Sequence, residues 1–148
     1  MILSNYKDFQ RVGRILGLDW GLHRCGVAIS DEKRDFVFVR PRFEVKNQSE
    51  LIKAVSDMVV SESVVGIVLG LPLHADGSDS DTTLMVREFA KALSEKTDVP
   101  IMFIEENLTS SIAQEEIGRK SIKQIKQELD SVSAKIILEN AISMLKRI

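Results

Sequence analysis

Arg14-Ile15-Leu16-Gly17-Leu18-Asp19 and Cys25-Gly26-Val27-Ala28-Ile29-Ser30 are two short apolar runs, and the turn between them contains Gly21. A connection of only about five residues lets two strands meet side by side and antiparallel, so the pair reads as a hairpin. A third strand is expected within 35–45, where Phe36, Phe38 and Arg40 alternate with Val37 and Val39. Beyond it the period changes. Asn47 can cap a helix, Glu50 stands three residues later in the capping-box position, and Leu51, Val55, Met58 and Val59 form a stripe. Val64-Val65-Gly66-Ile67-Val68-Leu69 is apolar without alternation, the pattern of a strand covered on both faces. After the loop 70–81, Val86, Phe89, Ala90 and Leu93 recur at helical spacing, and Val99-Pro100-Ile101-Met102-Phe103-Ile104 is another unbroken apolar run. A strand–helix–strand order implies parallel pairing of 64–69 with 101–104. Helices are expected from about 109 to 118 and from 121 to 147. The fold class is therefore α/β: a mixed sheet of antiparallel hairpin strands plus parallel strands, flanked by helices.

One domain accounts for the length. The chain has 148 residues, of which 1–13 carry no clear period and read as an N-terminal extension, leaving a single domain over 14–148. Folding at this size hides about 70% of the unfolded surface, and a hydrophobic fraction of 44% fills such a core. The lone Cys25 excludes an intrachain disulfide and fits a reducing compartment. The opening residues lack the apolar core of a signal peptide. No run approaches the roughly 20 apolar residues of a membrane span. A cytoplasmic protein without a membrane partner is expected. Lys and Arg number 20 against 22 Asp and Glu, a net charge of −2. Proteins that hold nucleic acid by bulk charge are usually basic. A polyanion site here must come from a local cluster of Arg and Lys or from bound metal.

Three acids occupy places where a sheet offers side chains to a ligand. Asp19 ends the first strand, and Glu106 follows the run 101–104, beyond the carboxyl end where parallel sheets bind ligands. Asp130 is followed at four, seven, eleven and fourteen residues by Ala134, Ile137, Ala141 and Met144, so it shares the stripe that faces the sheet. Each acid alone has a plainer reading: a turn former, a loop acid, or a partner for Lys126. Together they favour a site. Converging carboxylates repel one another unless a cation meets them. All-oxygen ligation selects Mg²⁺ or Mn²⁺ over zinc. Two such ions about 4 Å apart can bind a phosphodiester, activate water and stabilise the leaving oxygen.

The same segments carry a familiar pattern. Arg14 to Gly21 followed by Arg24-Cys25-Gly26-Val27-Ala28-Ile29-Ser30-Asp31 resembles the opening block of the YqgF family. Val68-Leu69-Gly70-Leu71-Pro72-Leu73 with Asp76-Gly77 resembles its second block, Glu105-Glu106-Asn107-Leu108-Thr109-Ser110 its third, and Asp130-Ser131-Val132-Ser133-Ala134-Lys135-Ile136-Ile137-Leu138 its last. The resemblance implies a ribonuclease-H-like fold, with Asp19, Glu106 and Asp130 as the metal-binding catalytic acids. It also implies a metal-dependent endonuclease that trims the 5′ end of pre-16S ribosomal RNA, or a Holliday-junction resolvase that cleaves branched DNA. The implied partners are structured RNA such as pre-rRNA, or branched DNA, together with ribosome-assembly factors. The chain departs from the family at Asn107, where Arg is usual, and at Leu22 and His23, where Thr and a basic residue are usual.

Arg14 and Arg24, with Lys123 and Lys126 on the approach to Asp130, are candidate phosphate contacts, although a charge run is more often a solvated face. His23 and His74 lack the spacing of a zinc pair. Trp20 suits packing at least as well as base stacking. A noncatalytic nucleic-acid or ribosome-associated module is the rival of a different class. The Asp19-Trp20-Gly21 hairpin also resembles the phosphate loop of sugar kinases and actin-like ATPases. Those need two such domains, for which the chain has no room.

Overall fold

A computed structural model describes residues 2–3, 8–105 and 122–147, with side chains along the last stretch from residue 131 onward. The helix expected over 109–118 lies outside the described residues. Five strands form one mixed sheet: β1 (Arg14–Asp19), β2 (Arg24–Ser30), β3 (Val37–Glu44), β4 (Val64–Leu71) and β5 (Ile101–Glu105). The order across the sheet is β3-β2-β1-β4-β5, with β1 in the centre. The first hairpin forms as expected, Leu16 opposite Ile29 and Asp19 opposite Gly26. β4 runs parallel to β1 on its other side, and β5 parallel to β4.

Among the described residues, three helices cover the two faces: α1 (Gln48–Ser61), α2 (Asp81–Ser94) and α3 (Ile122–Lys146). Asn47 caps α1 by accepting from the Glu50 amide at 3.0 Å. The Glu50 carboxylate reaches back to the Lys46 amide at 2.8 Å, one residue earlier than a reciprocal box requires. The full reciprocal box stands at α2. The Thr83 amide donates to Ser80 Oγ at 3.1 Å, and the Ser80 amide to Thr83 Oγ1 at 2.9 Å. Among the described residues, no helix is long and apolar enough to cross a membrane.

Because successive side chains on a strand point to opposite faces, the apolar strands build two cores. Leu16, Leu18, Val27 and Leu69 pack under α1 and α2 with Leu51, Val55, Phe89 and Leu93. Ile15, Ala28, Val68 and Met102 pack under α3 with Ala134, Ile137, Leu138 and Ala141. Part of the N-terminal extension joins this second core. Phe9 is buried, and its ring occupies the space that a side chain on Gly66 would need. The Leu3 amide donates to the Ile101 carbonyl at 2.8 Å, beside β5.

At Gly17 the helix α3 comes down directly onto the sheet. A Cβ there would stand 2.7 Å from Leu138 Cβ and 3.0 Å from the Ala134 carbonyl oxygen. Glycine is thus a requirement of α3 seating on β1, where any side chain would lift the helix. Gly17→Ala is expected to cost about 1–3 kcal/mol, the usual penalty of overpacking. Urea denaturation followed by far-UV dichroism measures it, and an unchanged midpoint would contradict this account of the seating.

Candidate nucleic-acid active site

Alternation along β1 fixes the direction of its last residue. Leu16 and Leu18 face α1 and α2, while Ile15 and Gly17 face α3. Asp19 shares the parity of Ile15 and Gly17, so its side chain leaves the sheet on the α3 face. It is half-buried at the carboxyl end of the central strand. There the backbone is held by β2 through Gly26 on one side, and by β4 as far as Leu69 on the other. A carboxylate on a strand braced from both sides has little freedom to swing. That is what a ligand-binding group needs.

The third candidate acid sits in the helix on that same face. Ser131, the residue after Asp130, donates from Oγ to the Arg40 carbonyl of β3 at 2.7 Å. Arg40 pairs with Val27, and Val27 with Leu18, one residue before Asp19. At the far end of α3, Lys146 lies 3.7 Å from Asp35 in the β2–β3 connection. The helix thus runs obliquely over β1, β2 and β3, with its Ser131 end toward the end of the sheet that carries Asp19. The Asp130 side chain lies outside the described residues, as do those of Lys123 and Lys126 and all of Glu106. Met102 and Ile104 belong to the α3 face of β5, and Glu106 stands two residues beyond Ile104 in the sequence. Among the described residues, no three of His, Cys, Asp and Glu gather closely enough to hold a metal ion.

The candidate cations separate. Arg24 opens β2 across the hairpin turn from Asp19 and is exposed. Arg14 stands at the opposite end of β1, about 17 Å away along a strand of that length. Its Nη1 pairs with Glu62 Oε2 at 2.8 Å, and Arg40 meets the other oxygen of the same carboxylate at 3.0 Å. Arg14 therefore ties β1 to the end of α1 and is not beside Asp19. His74 is exposed in the loop after β4. That loop is tightened by Asp76, which accepts from the Ser78 amide at 2.9 Å and from the Ser78 hydroxyl at 2.6 Å. These bonds, the hydroxyl first, hold the Asp76 carboxyl below its ordinary pKa.

One residue that the sequence did not single out organises the turn. Gln48, the first residue of α1, accepts from Trp20 Nε1 at 2.8 Å and donates from Nε2 to the Leu22 carbonyl at 2.7 Å. Trp20 lies against the α1–α2 core, its ring centroid 6.4 Å from that of Phe89 at an angle of 42°. It packs, and its polar edge is engaged. Gly21 cannot be replaced cheaply, since a Cβ would sit 2.3 Å from the Arg24 carbonyl oxygen. The residues flanking Asp19 are thus fixed by a helix of the opposite layer.

The model of the RuvX family, described as Holliday junction resolvase, matches residues 13–144. The chain belongs to the RuvX family. A relative from Maridesulfovibrio salexigens named "Putative pre-16S rRNA nuclease" is 38% identical over 128 residues, covering 85% of this chain and 95% of its own. One of the same name from Sulfurihydrogenibium is 33% identical over 136 residues, covering 90% and 92%. Among solved structures, Thermus thermophilus RuvC in complex with a Holliday junction substrate is similar with a TM-score of 0.59. It is 8% identical, and the match covers 90% of this chain and 96% of that one. At that identity the likeness speaks for fold, and the RuvX chain has the ribonuclease-H-like architecture.

Gln48→Ala removes both bonds to the turn and is expected to lower stability by about 1–2 kcal/mol. Because Trp20 is the single tryptophan, its emission reports directly on the site. A red shift in the folded variant is the expected result, and an unshifted spectrum at unchanged stability would remove Gln48 from this role.

Proposed function

We propose that this protein is a nuclease hydrolysing phosphodiester bonds of structured RNA, processing the 5′ end of pre-16S ribosomal RNA, with Asp19, Glu106 and Asp130 holding a divalent cation. The observation that carries the reading is the direction of Asp19. An acid at the carboxyl end of the central strand leaves the sheet toward the helix that contains Asp130, in a chain whose relatives bear the name of a pre-16S rRNA nuclease. The donor chemistry fits Mg²⁺ or Mn²⁺, since three carboxylates offer oxygen alone.

When bound, such an ion supplies charge to the phosphate oxygens and lowers the pKa of a coordinated water. The chain's own contribution is positional. β1 fixes Asp19 between two neighbouring strands, Gly17 lets α3 come down on the same face, and Gln48 holds the turn that follows. Arg24, together with Lys123 and Lys126, is the proposed source of phosphate contact. At a net charge of −2, binding rests on such local groups more than on an overall field. Cleavage of branched DNA is the second reading, favoured by the description of the family itself.

The test uses purified protein with a pre-16S RNA fragment, an unstructured RNA and a four-way DNA junction, each with Mg²⁺, Mn²⁺ or chelator. Metal-dependent cleavage of the precursor fragment is expected, and preference for the DNA junction would transfer the conclusion to the second reading. Asp19→Asn keeps the shape and removes the charge. Loss of an interaction worth several kcal/mol slows cleavage on the order of 10²–10⁴-fold. Undiminished cleavage by that variant, or cleavage indifferent to chelator, would end the assignment of the acids, and no cleavage of any of the three substrates would leave a noncatalytic binding module.

A further inference from the structure

Beside the hairpin turn lies an open groove of about 420 Å³ lined by His23, Arg24, Glu44, Val45, Lys46 and Glu50. Its walls are the start of β2, the end of β3 and the first turn of α1. A hydrogen bond from the Val45 amide to the His23 carbonyl, 2.9 Å long, joins them. The groove holds equal numbers of acidic and strongly basic side chains, and a count of charges makes it neutral. The bonding pattern does not. Glu44 is taken by Arg42, whose Nη2 and Nε reach Glu44 Oε1 at 2.6 and 3.1 Å. Glu50 accepts from the Lys46 amide at 2.8 Å, a neutral donor that leaves its charge in place. Arg24 and Lys46 are exposed, and among the described residues neither side chain has an acidic partner. The groove therefore presents two cations against the one carboxylate, Glu50, that no cation pairs, with His23 and Arg24 four and five residues of chain beyond Asp19.

From this we infer that the groove is the track for the phosphodiester backbone of the substrate strand on one side of the cleavage point, with Arg24 and Lys46 each meeting a phosphate. The inference rests on the proposed nuclease function for its direction, because only then does Asp19 mark the scissile bond. A nucleic-acid strand carries regularly spaced negative charge, which cations along the wall of an open groove can meet. An acidic peptide would meet the same groups, but its charge lacks the regular spacing of a phosphodiester backbone.

Phosphate contacts are countable through salt. For single strands the logarithm of affinity falls against the logarithm of salt with a slope of about −0.7 for each phosphate neutralised. The experiment measures binding of a short fluorescein-labelled single-stranded RNA, and of DNA of the same sequence, by anisotropy. Asp19→Asn protein in chelator is used, so that neither strand is cut. Adding Arg24→Gln and Lys46→Gln is expected to make the slope shallower by about 0.7 per residue. The control pair Lys53→Gln and Lys91→Gln, the same charge change on the outer surfaces of α1 and α2, is expected to leave it in place. Trp20 emission verifies that each variant keeps its turn. An equal slope in the groove variant and its parent, or no binding of either strand, overturns the groove. A shallower slope in a protein whose wild type cuts nothing sustains the groove and removes the nuclease. Cleavage by wild type with an unmoved slope does the reverse.

Discussion

The contact between α3 and β1 at Gly17 is the constraint on which the rest of the site depends. A helix normally rides about 10 Å from a sheet, held off by the side chains of both layers, as stacked layers generally are. Here one layer has none at the crossing point, and the Ala134 carbonyl and Leu138 Cβ come down to where a Cβ would have been. Small residues on the helix extend the same logic, with Ala134 and Ala141 both fully buried. Asp19 follows Gly17 on the same face, and Asp130 precedes Ala134 by about one helical turn. Closing the gap at one point brings the ends of two distant segments of sequence toward the same edge of the sheet. The glycine is structural in its energetics and functional in its consequence.

The opposite layer acts on the same edge in a different way. α1 and α2 bury the other parity of β1, and their packing has no direct view of Asp19. Their influence runs through the turn. Gln48 grips Trp20 and the Leu22 carbonyl, and Trp20 lies on Phe89 of α2, so both helices bear on the residues immediately after the acid. β3 adds a third constraint. Between Cys25 and Val27 the pairing slips, so that Pro41 and Arg42 together face the single Gly26 that opposes Asp19. Proline at a bulge on an outer strand forfeits no ladder bond. A bulge of this kind increases the local twist of the strands that carry Arg24 and Glu44.

Much of this was legible in the residues and some was not, for physical reasons. The hairpin, the parallel pair and the apolar stripes rest on period and turn length, which are local, and the structure carries each of them. Leu51, Val55 and Val59 are buried, as are Val86, Phe89, Ala90 and Leu93. The face of Asp19 was also open to reading, because parity along one strand settles it. Arg14 shows where such reading stops. It lies in the same strand and carries the right charge, yet the opposite end of the strand and Glu62 claim it. Which end of a strand faces a site depends on topology, and which acid claims an arginine depends on an element 48 residues away. Gln48 carried no signal at all, since its partners are a ring nitrogen and a carbonyl on the other side of a turn.

Affinity in such a chain cannot come from an overall field. With acids slightly outnumbering bases, a strand approaching from solvent gains little at long range, and attraction begins only within about a Debye length of particular groups. The protein's arrangement of internal pairs then decides which groups those are. Arg14 and Arg40 are spent on one carboxylate, Lys53 faces Asp57 along α1, and Arg87 lies over the Phe103 ring, 5.5 Å from its centroid, with Asp79 at 3.6 Å. Such exposed pairs add little stability, commonly under about 1 kcal/mol each. Their larger effect is subtractive, because each removes a cation from the surface that a polyanion could use. Arg24, across the hairpin turn from Asp19, and Lys46, between β3 and α1, have no acidic partner among the described residues. In a nearly neutral protein without a basic face, selectivity for a particular stretch of strand has to come from where individual unpaired cations stand.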